Sequence, residues 1–186
     1  GRGLSVFDPR DESVRSFLSE DTIQYPISNN SIISLHSDRD GQLWVGTLDG
    51  LNRYDEDQNG FKVFRDSDGL SSNIVMSIEE SNNGDLWMST SRGITRMSTG
   101  LKPYDFQTFD LSDGLQGDSF TEDASLKTRD GDLIFSGQNG FNVFRPSEIE
   151  VSDKAAKTLF TKFFISSTEI TTGAAFHDRV ILTNPL

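Results

Sequence analysis

Cysteine is absent from the 186-residue chain, which excludes disulfides, thiolate zinc sites and cysteine nucleophiles at once. That absence does not choose a compartment, since disulfide-free proteins also occur in oxidising ones. Histidine is almost absent: His36 and His177 are the two, and neither has a His, Cys or carboxylate at metal-ligand spacing. Both read as ordinary strand or surface residues. Basic residues are outnumbered, 17 against 29 acidic, and the resulting formal charge of −12 argues against DNA, RNA or anionic lipid headgroups as partners. Long apolar runs are missing too; segments such as Phe163-Phe164-Ile165 fall far short of the ~18 residues that span a membrane. No Gly-x-Ser-x-Gly elbow and no phosphate-cradling glycine loop with a lysine occurs. Helical periodicity is lacking, apart from a short turn expected at residues 146–151. Gly1-Arg2-Gly3 is not a signal peptide; it begins inside the pattern described next, so the natural N-terminus is expected upstream.

Phenylalanine and hairpin turns fill the gap. There are 14 Phe against 3 Tyr and 2 Trp, and flat rings suit the pleated, half-buried surface of a strand. The segment Asp40-Gly41-Gln42-Leu43-Trp44-Val45-Gly46-Thr47 recurs as Asn83-Gly84-Asp85-Leu86-Trp87-Met88-Ser89-Thr90. A weaker copy is Asp130-Gly131-Asp132-Leu133-Ile134-Phe135-Ser136-Gly137. Each copy reaches a second glycine, Gly50, Gly93 or Gly140, and then an apolar segment: Leu51–Tyr54, Ile94–Met97 or Phe141–Phe144. Gly3-Leu4-Ser5-Val6-Phe7-Asp8 is an orphan copy of that last piece, giving periods of 47, 43 and 47 residues between second glycines.

One period predicts four short strands, near residues 32–36, 43–47, 51–54 and 61–64. Asp-Gly and Asn-Gly between apolar runs mark hairpins, because glycine supplies positive φ without steric cost. Four antiparallel strands in ~40–50 residues is the size of one propeller blade. A β-sandwich would not repeat one Gly-x-Leu-Trp hairpin at a fixed period, and solenoid repeats are shorter. The expected fold is therefore all-β: a partial β-propeller of about three and a half four-stranded blades. The expected divisions are an orphan half-blade 1–28, blades 29–70, 71–113 and 114–149, then a linker and the start of another domain at 151–186.

The pattern running from Ser31 to Tyr54, with Asp38, Gly41, Leu43-Trp44, Gly46-Thr47 and Gly50-Leu51-Asn52-Arg53-Tyr54 as its fixed points, resembles the two-component regulator propeller repeat. The copy from Asn73 to Met97 keeps Leu86-Trp87 and Gly93-Ile94. Asp68-Gly69-Leu70 and Asp113-Gly114-Leu115 resemble the linker between blades of that family. Phe144-Arg145-Pro146-Ser147-Glu148-Ile149, followed by the strand-like Leu159–Ile165, resembles the entry to the small β-sandwich, named for three tyrosines, that follows such propellers. The resemblance implies a periplasmic sensor region of a membrane-bound regulator, with a histidine kinase, a hybrid kinase or a diguanylate cyclase as output. It also implies an oligosaccharide or other small extracellular ligand, a dimeric parent, and the remaining blades and sandwich domain as neighbours. No cofactor, metal or catalytic residue is expected in this chain. The 29 acidic residues leave carboxylate pairs of a propeller-fold carbohydrate-active enzyme open as the alternative.

Trp44 and Trp87 repeat at one position and are expected in the core between blades. Asp38-Arg39-Asp40-Gly41 and Asp130-Gly131-Asp132 read as Asx-type turns, since they lack the further ligands of a calcium loop. Strand alternation places the turns between second and third strands at one end, with the blade-joining loops. The candidate ligand-binding residues are therefore Asp49, Arg92, Gln138 and Asn139 in those turns, with Asp68, Asn73 and Asp118 in the loops. Unlike the framework, they differ from copy to copy.

Overall fold

Asp-Gly and Asn-Gly sequences become hairpins in the computed structural model, which describes residues 2–100 and 103–149 and the short strands Phe163–Ile165 and Thr168–Ile170. The chain divides into two compact units, Gly1–Ile149 and Glu150–Leu186. The first unit opens with a two-stranded hairpin, β1 (Leu4–Asp8) and β2 (Ser13–Phe17). Next come β3 (Ile32–Ser37), β4 (Leu43–Thr47), β5 (Gly50–Asp55) and β6 (Gly60–Phe64), paired antiparallel in chain order as one sheet. The second sheet repeats this with β7 (Val75–Glu80), β8 (Leu86–Thr90), β9 (Gly93–Ser98) and β10 (Asp105–Phe109). The third holds β11 (Phe120–Lys127), β12 (Leu133–Gly137) and β13 (Gly140–Phe144). In the second unit, β14 (Phe163–Ile165) and β15 (Thr168–Ile170) pair as a hairpin. Residues 151–162 and His177 lie outside the described residues.

These sheets are blades of a partial β-propeller. The inner strand β7 packs beside both β3 and β11, and β11 reaches β3, so the first strands of the blades gather about a common axis. β6 and β10 form the outer edges. Gly41, Gly84 and Gly131 hold φ of 79°, 94° and 88° at the equivalent first turn of each blade, where a side chain would be strained.

Blade faces make the core. Trp44 and Leu51 of the first blade pack with Val75, Ile78, Leu86 and Met88 of the second, and Trp87 and Ile94 of the second pack with Phe120, Leu133 and Phe135 of the third. Trp44 and Trp87 keep only 2% and 1% of their surface exposed, which places both in the layers between blades. The first hairpin uses Leu4 and Phe17 to cover the opposite face of the first blade, against Val45 and Phe61. Fully burying a side chain such as Leu51 or Met88 contributes roughly 1.5–3 kcal/mol, so these layers dominate cohesion between blades.

Polar contacts fix the first turns. Asp38 accepts the N–H of Asp40 and Gln42 at 3.1 and 2.9 Å and the indole N–H of Trp44 at 2.8 Å. Ser81 stands in the same place in the second blade. Its short hydroxyl bonds to Asn83 and to the Asp85 carbonyl, and the buried indole nitrogen of Trp87 has no partner. In the third blade the turn is organised by Thr128, which accepts the N–H of Asp132, while Asp132 pairs with Arg145 at 2.7 Å. Arg39 crosses from the first blade to the second. It forms an ion pair with the nearly buried Glu80, donates its backbone N–H to that carboxylate at 2.9 Å, and reaches the Ser81 carbonyl at 2.7 Å.

The third blade has three strands among the described residues, against the expected four. After Phe144 the chain turns into a short 3-10 segment, Pro146–Glu148. Proline there has no N–H to give a sheet ladder, so β13 is not continued past Phe144.

Candidate ligand-binding face

In the first two blades the turn after the second strand is held by a hydroxyl at the strand end. Thr47 accepts the N–H of Asp49 at 3.0 Å and donates to the Gly50 carbonyl at 3.0 Å. Thr90 does the same for Arg92 and Gly93, at 2.9 and 3.0 Å. The preceding blade-joining loop locks onto this turn. Ser28 and Ser71 place their hydroxyls 2.9 Å from Thr47 and Thr90, and give their N–H groups to Asn52 and Thr95 at 2.8 and 2.9 Å. In the third blade Gln116 takes the serine position and Gly137 the threonine position. The Gln116 N–H goes to Asn142, and its side-chain oxygen accepts the N–H of Asn139, both at 2.9 Å.

Antiparallel pairing within each blade puts these turns and the blade-joining loops at one end of the unit, and the seven candidate residues all lie there. Asp49 is paired with Arg65 at 2.9 Å, and this hydrogen bond raises the pKa of the guanidinium above its ordinary value. The Asp68 carboxylate closes its own turn by accepting the Arg65 N–H at 2.9 Å. The Asn73 side chain accepts the N–H of Asp66 at 2.8 Å, folding the loop back on itself. The Asp118 carbonyl accepts the Gly93 N–H at 2.7 Å, joining that loop to the turn that carries Arg92. Arg92, Asp118, Gln138 and Asn139 are exposed. The candidates thus form one small group per blade, and among the described residues no hydrogen bond or ion pair links one group to another.

Two clefts of the first unit lie mostly apart from these residues. One of about 710 Å³ lies between residues 19–28 and β5–β6 and includes none of the seven; another of about 320 Å³, between the first two blades, includes Asp68 alone. Both are lined by Arg53 and Lys62, which the reading of the sequence passed over because it sought variable turns rather than strand positions. The threonine and serine lattice was also missed, although Thr47 and Thr90 stand in register in the two sharp repeats. His36 lies on β3 with its Nε2 buried and unpartnered, and no group of three metal-ligating residues occurs among the described residues.

Comparison with known proteins agrees with this architecture. Residues 26–49 and 69–92 match the family described as two component regulator propeller, and each match ends in one of the threonine-held turns. Over 41 residues, 22% of this chain, the sequence is 46% identical to histidine kinase P4 of Formosa agariphila, of which those residues make up 3%. Among solved structures, the extracellular domain of BT3049 from B. thetaiotaomicron, assigned to a hybrid two component system, superposes with a TM-score of 0.50 at 21% identity. That match covers 77% of this chain and 25% of the other. Virginiamycin B lyase from Staphylococcus aureus superposes with a TM-score of 0.53 at 16% identity, covering 79% of this chain and 50% of the lyase. The chain therefore spans a small part of the kinase and a quarter to a half of the solved chains, and the structural likenesses are likenesses of fold. Residues 26–49 and 69–92, which hold the first two strands of two successive blades, are thus similar to repeats of the two component regulator propeller family.

Proposed function

We propose that this chain is a segment of the extracytoplasmic sensor region of a membrane-bound two-component signalling protein, a sensor histidine kinase or a hybrid. The observation that carries the reading is the pair of family matches at residues 26–49 and 69–92, each holding the first two strands of a blade. The kinase relative and the hybrid-system structure support it. The role is recognition rather than catalysis, and any phosphotransfer belongs to the parent. The exposed turns bearing Asp49, Arg92, Gln138 and Asn139, with Asp68, Asn73 and Asp118, meet an oligosaccharide or another small extracellular ligand. Rigid blades suit this task, because a ligand shifts a signalling equilibrium only by as much as it binds one state better than the other. Further blades of the parent cover the open face of the third blade, and a following domain relays the change within a dimer. The lyase resembles this chain in fold alone, so its activity does not carry over.

The test is topological. The product of the whole gene is followed in intact cells and spheroplasts with an antibody against residues 2–149. Membrane fractionation, with protease cleavage of this region from the periplasmic side, is expected. Protection of the region in spheroplasts, or recovery in the soluble cytoplasmic fraction, overturns the reading.

A further inference from the structure

Arg53 and Lys62 stand directly opposite each other on β5 and β6, and both line the two clefts at the outer rim of the first blade. Like charges at directly opposed positions repel. The second blade shows how the fold satisfies an arginine at this place. Arg96, the counterpart of Arg53, is held by Asp85 at 2.7 Å through Nε and at 2.6 Å through a terminal nitrogen, and faces the neutral Gln107.

In the first blade the position of Asp85 is occupied by Gln42, whose amide bonds to the carbonyls of Leu43 and Tyr54 instead. Among the described residues the Arg53 side chain is left with one hydrogen bond, to the Tyr104 hydroxyl at 2.8 Å, and a loose approach to Asp55 at 3.7 Å. Its Nε is buried and has no partner. Lys62 has no carboxylate within ion-pair distance among the described residues. Its ammonium lies 5.0 Å over the Phe64 ring and 5.5 Å over the Tyr104 ring. A repeat that has exchanged its built-in counter-ion for an amide, and gained a second cation beside it, is short of negative charge on this face.

We propose that the cleft of about 320 Å³ between the first and second blades binds a small carboxylate carried on a flat ring. The carboxylate supplies, from the cleft side, the negative charge that Asp85 supplies in the second blade, accepting the spare donors of Arg53 and the Lys62 ammonium. The ring lies against Tyr104, Phe106 and Phe64, which form the aromatic walls of the cleft. The volume is at the lower end for a small-molecule site, which suits a single ring. Asp68 also borders the cleft and the chain carries a charge of −12, so a singly charged ligand is favoured over a polyanion. This site lies between blades and shares Asp68 alone with the seven residues of the turn face.

Sodium benzoate is the probe, titrated into the whole chain and followed by the ¹H–¹⁵N signal of the Arg53 side-chain Nε–H and by the Tyr104 ring. Saturable shifts of both are expected. Arg53→Gln and Lys62→Gln each weaken binding about tenfold, while sodium acetate and benzamide do not saturate over the same range. Gln42→Asp is the second arm: it restores the counter-ion present in the second blade, and is expected to abolish binding while preserving the thermal unfolding transition. The proposal is overturned if benzoate leaves the Arg53 signal unmoved, if Gln42→Asp or Lys62→Gln binds as well as the parent sequence, or if acetate saturates as benzoate does.

Discussion

The side-chain oxygen of Gln116 accepts the backbone N–H of Asn139 at 2.9 Å, the bond that Thr47 and Thr90 make to Asp49 and Arg92 in the preceding blades. The third blade has lost the threonine, where Gly137 now stands, and a longer side chain reaches across from the joining loop to replace it. A Cβ on Gly137 would collide with the Gln116 amide, so the two exchanges depend on each other. Gln116→Ser is expected to cost about 1–2 kcal/mol, since the Asn139 N–H loses its partner and a gap opens. Gly137→Thr is expected to cost at least as much by crowding. The double variant should be more stable than the sum of the two predicts, yet short of the parent, because the Ser119 carbonyl also lies 2.5 Å from where the Cβ would be. Urea unfolding of the four proteins measures the coupling, and strict additivity would contradict this account.

Asp38 and Ser81 occupy one position in two blades but hold their tryptophans differently. Asp38→Ala removes the acceptor of three donors, the Trp44 indole among them, and is expected to cost about 2 kcal/mol. Ser81→Ala leaves Trp87 as it was, without an indole partner, and should cost about 1 kcal/mol for the lost turn bonds. Paired thermal melts decide it; equal losses would show that the Trp44 contact adds nothing.

The Arg39–Glu80 pair ties the first blade to the second on the side away from the candidate turns. Glu80→Ala strands the Arg39 backbone N–H and guanidinium, and a loss of about 2 kcal/mol is expected once the half-exposed arginine is discounted for solvent. Amide exchange should speed up at β3 and β7 together. Unchanged protection of both strands would mean that apolar packing alone joins the blades.

The third blade presents Leu126, Phe141 and Val143 with 57%, 66% and 51% of their surface exposed. The positions of Phe141 and Val143 are held in the second blade by Ile94, buried against the third blade, and Arg96. The isolated chain is therefore expected to self-associate at micromolar concentration through this face. Phe141→Ser with Val143→Thr should shift it toward monomer in sedimentation velocity. A concentration-independent monomer of the unmodified chain would defeat the expectation.

Asp110 caps the short turn Leu111–Asp113 in the second joining loop. Hydrogen bonds from the side chain and backbone of Ser112 hold its carboxyl below the ordinary aspartate range. A depressed pKa means that this contribution to the loop is fully present above the unfolded value of about 3.9 and fades as pH falls through the lower folded value. The carboxyl carbon of Asp110 should titrate below that of a model peptide, and Ser112→Ala should bring the midpoint up. A midpoint unmoved by Ser112→Ala would remove the assigned cause.

The sequence by itself determined the blade. Glycine at the turns and apolar alternation between them leave little choice but antiparallel hairpins of one length, and the recurrence of Trp44 as Trp87 marked a position that the first two blades bury. Those signals are local, or repeat at a fixed period, so they survive without coordinates. What only the tertiary structure decided depends on partners far apart in the chain. Gln116 meets Asn139 across 23 residues and Arg39 meets Glu80 across 41, and neither period nor composition marks them. The sequence could not show that Asp49, Asp68 and Asn73 are already engaged in holding their own loops. Arg53 and Lys62 were illegible for the same reason. Their unbalanced charge appears only when Gln42 is seen, through strand register, to stand where the second blade has Asp85.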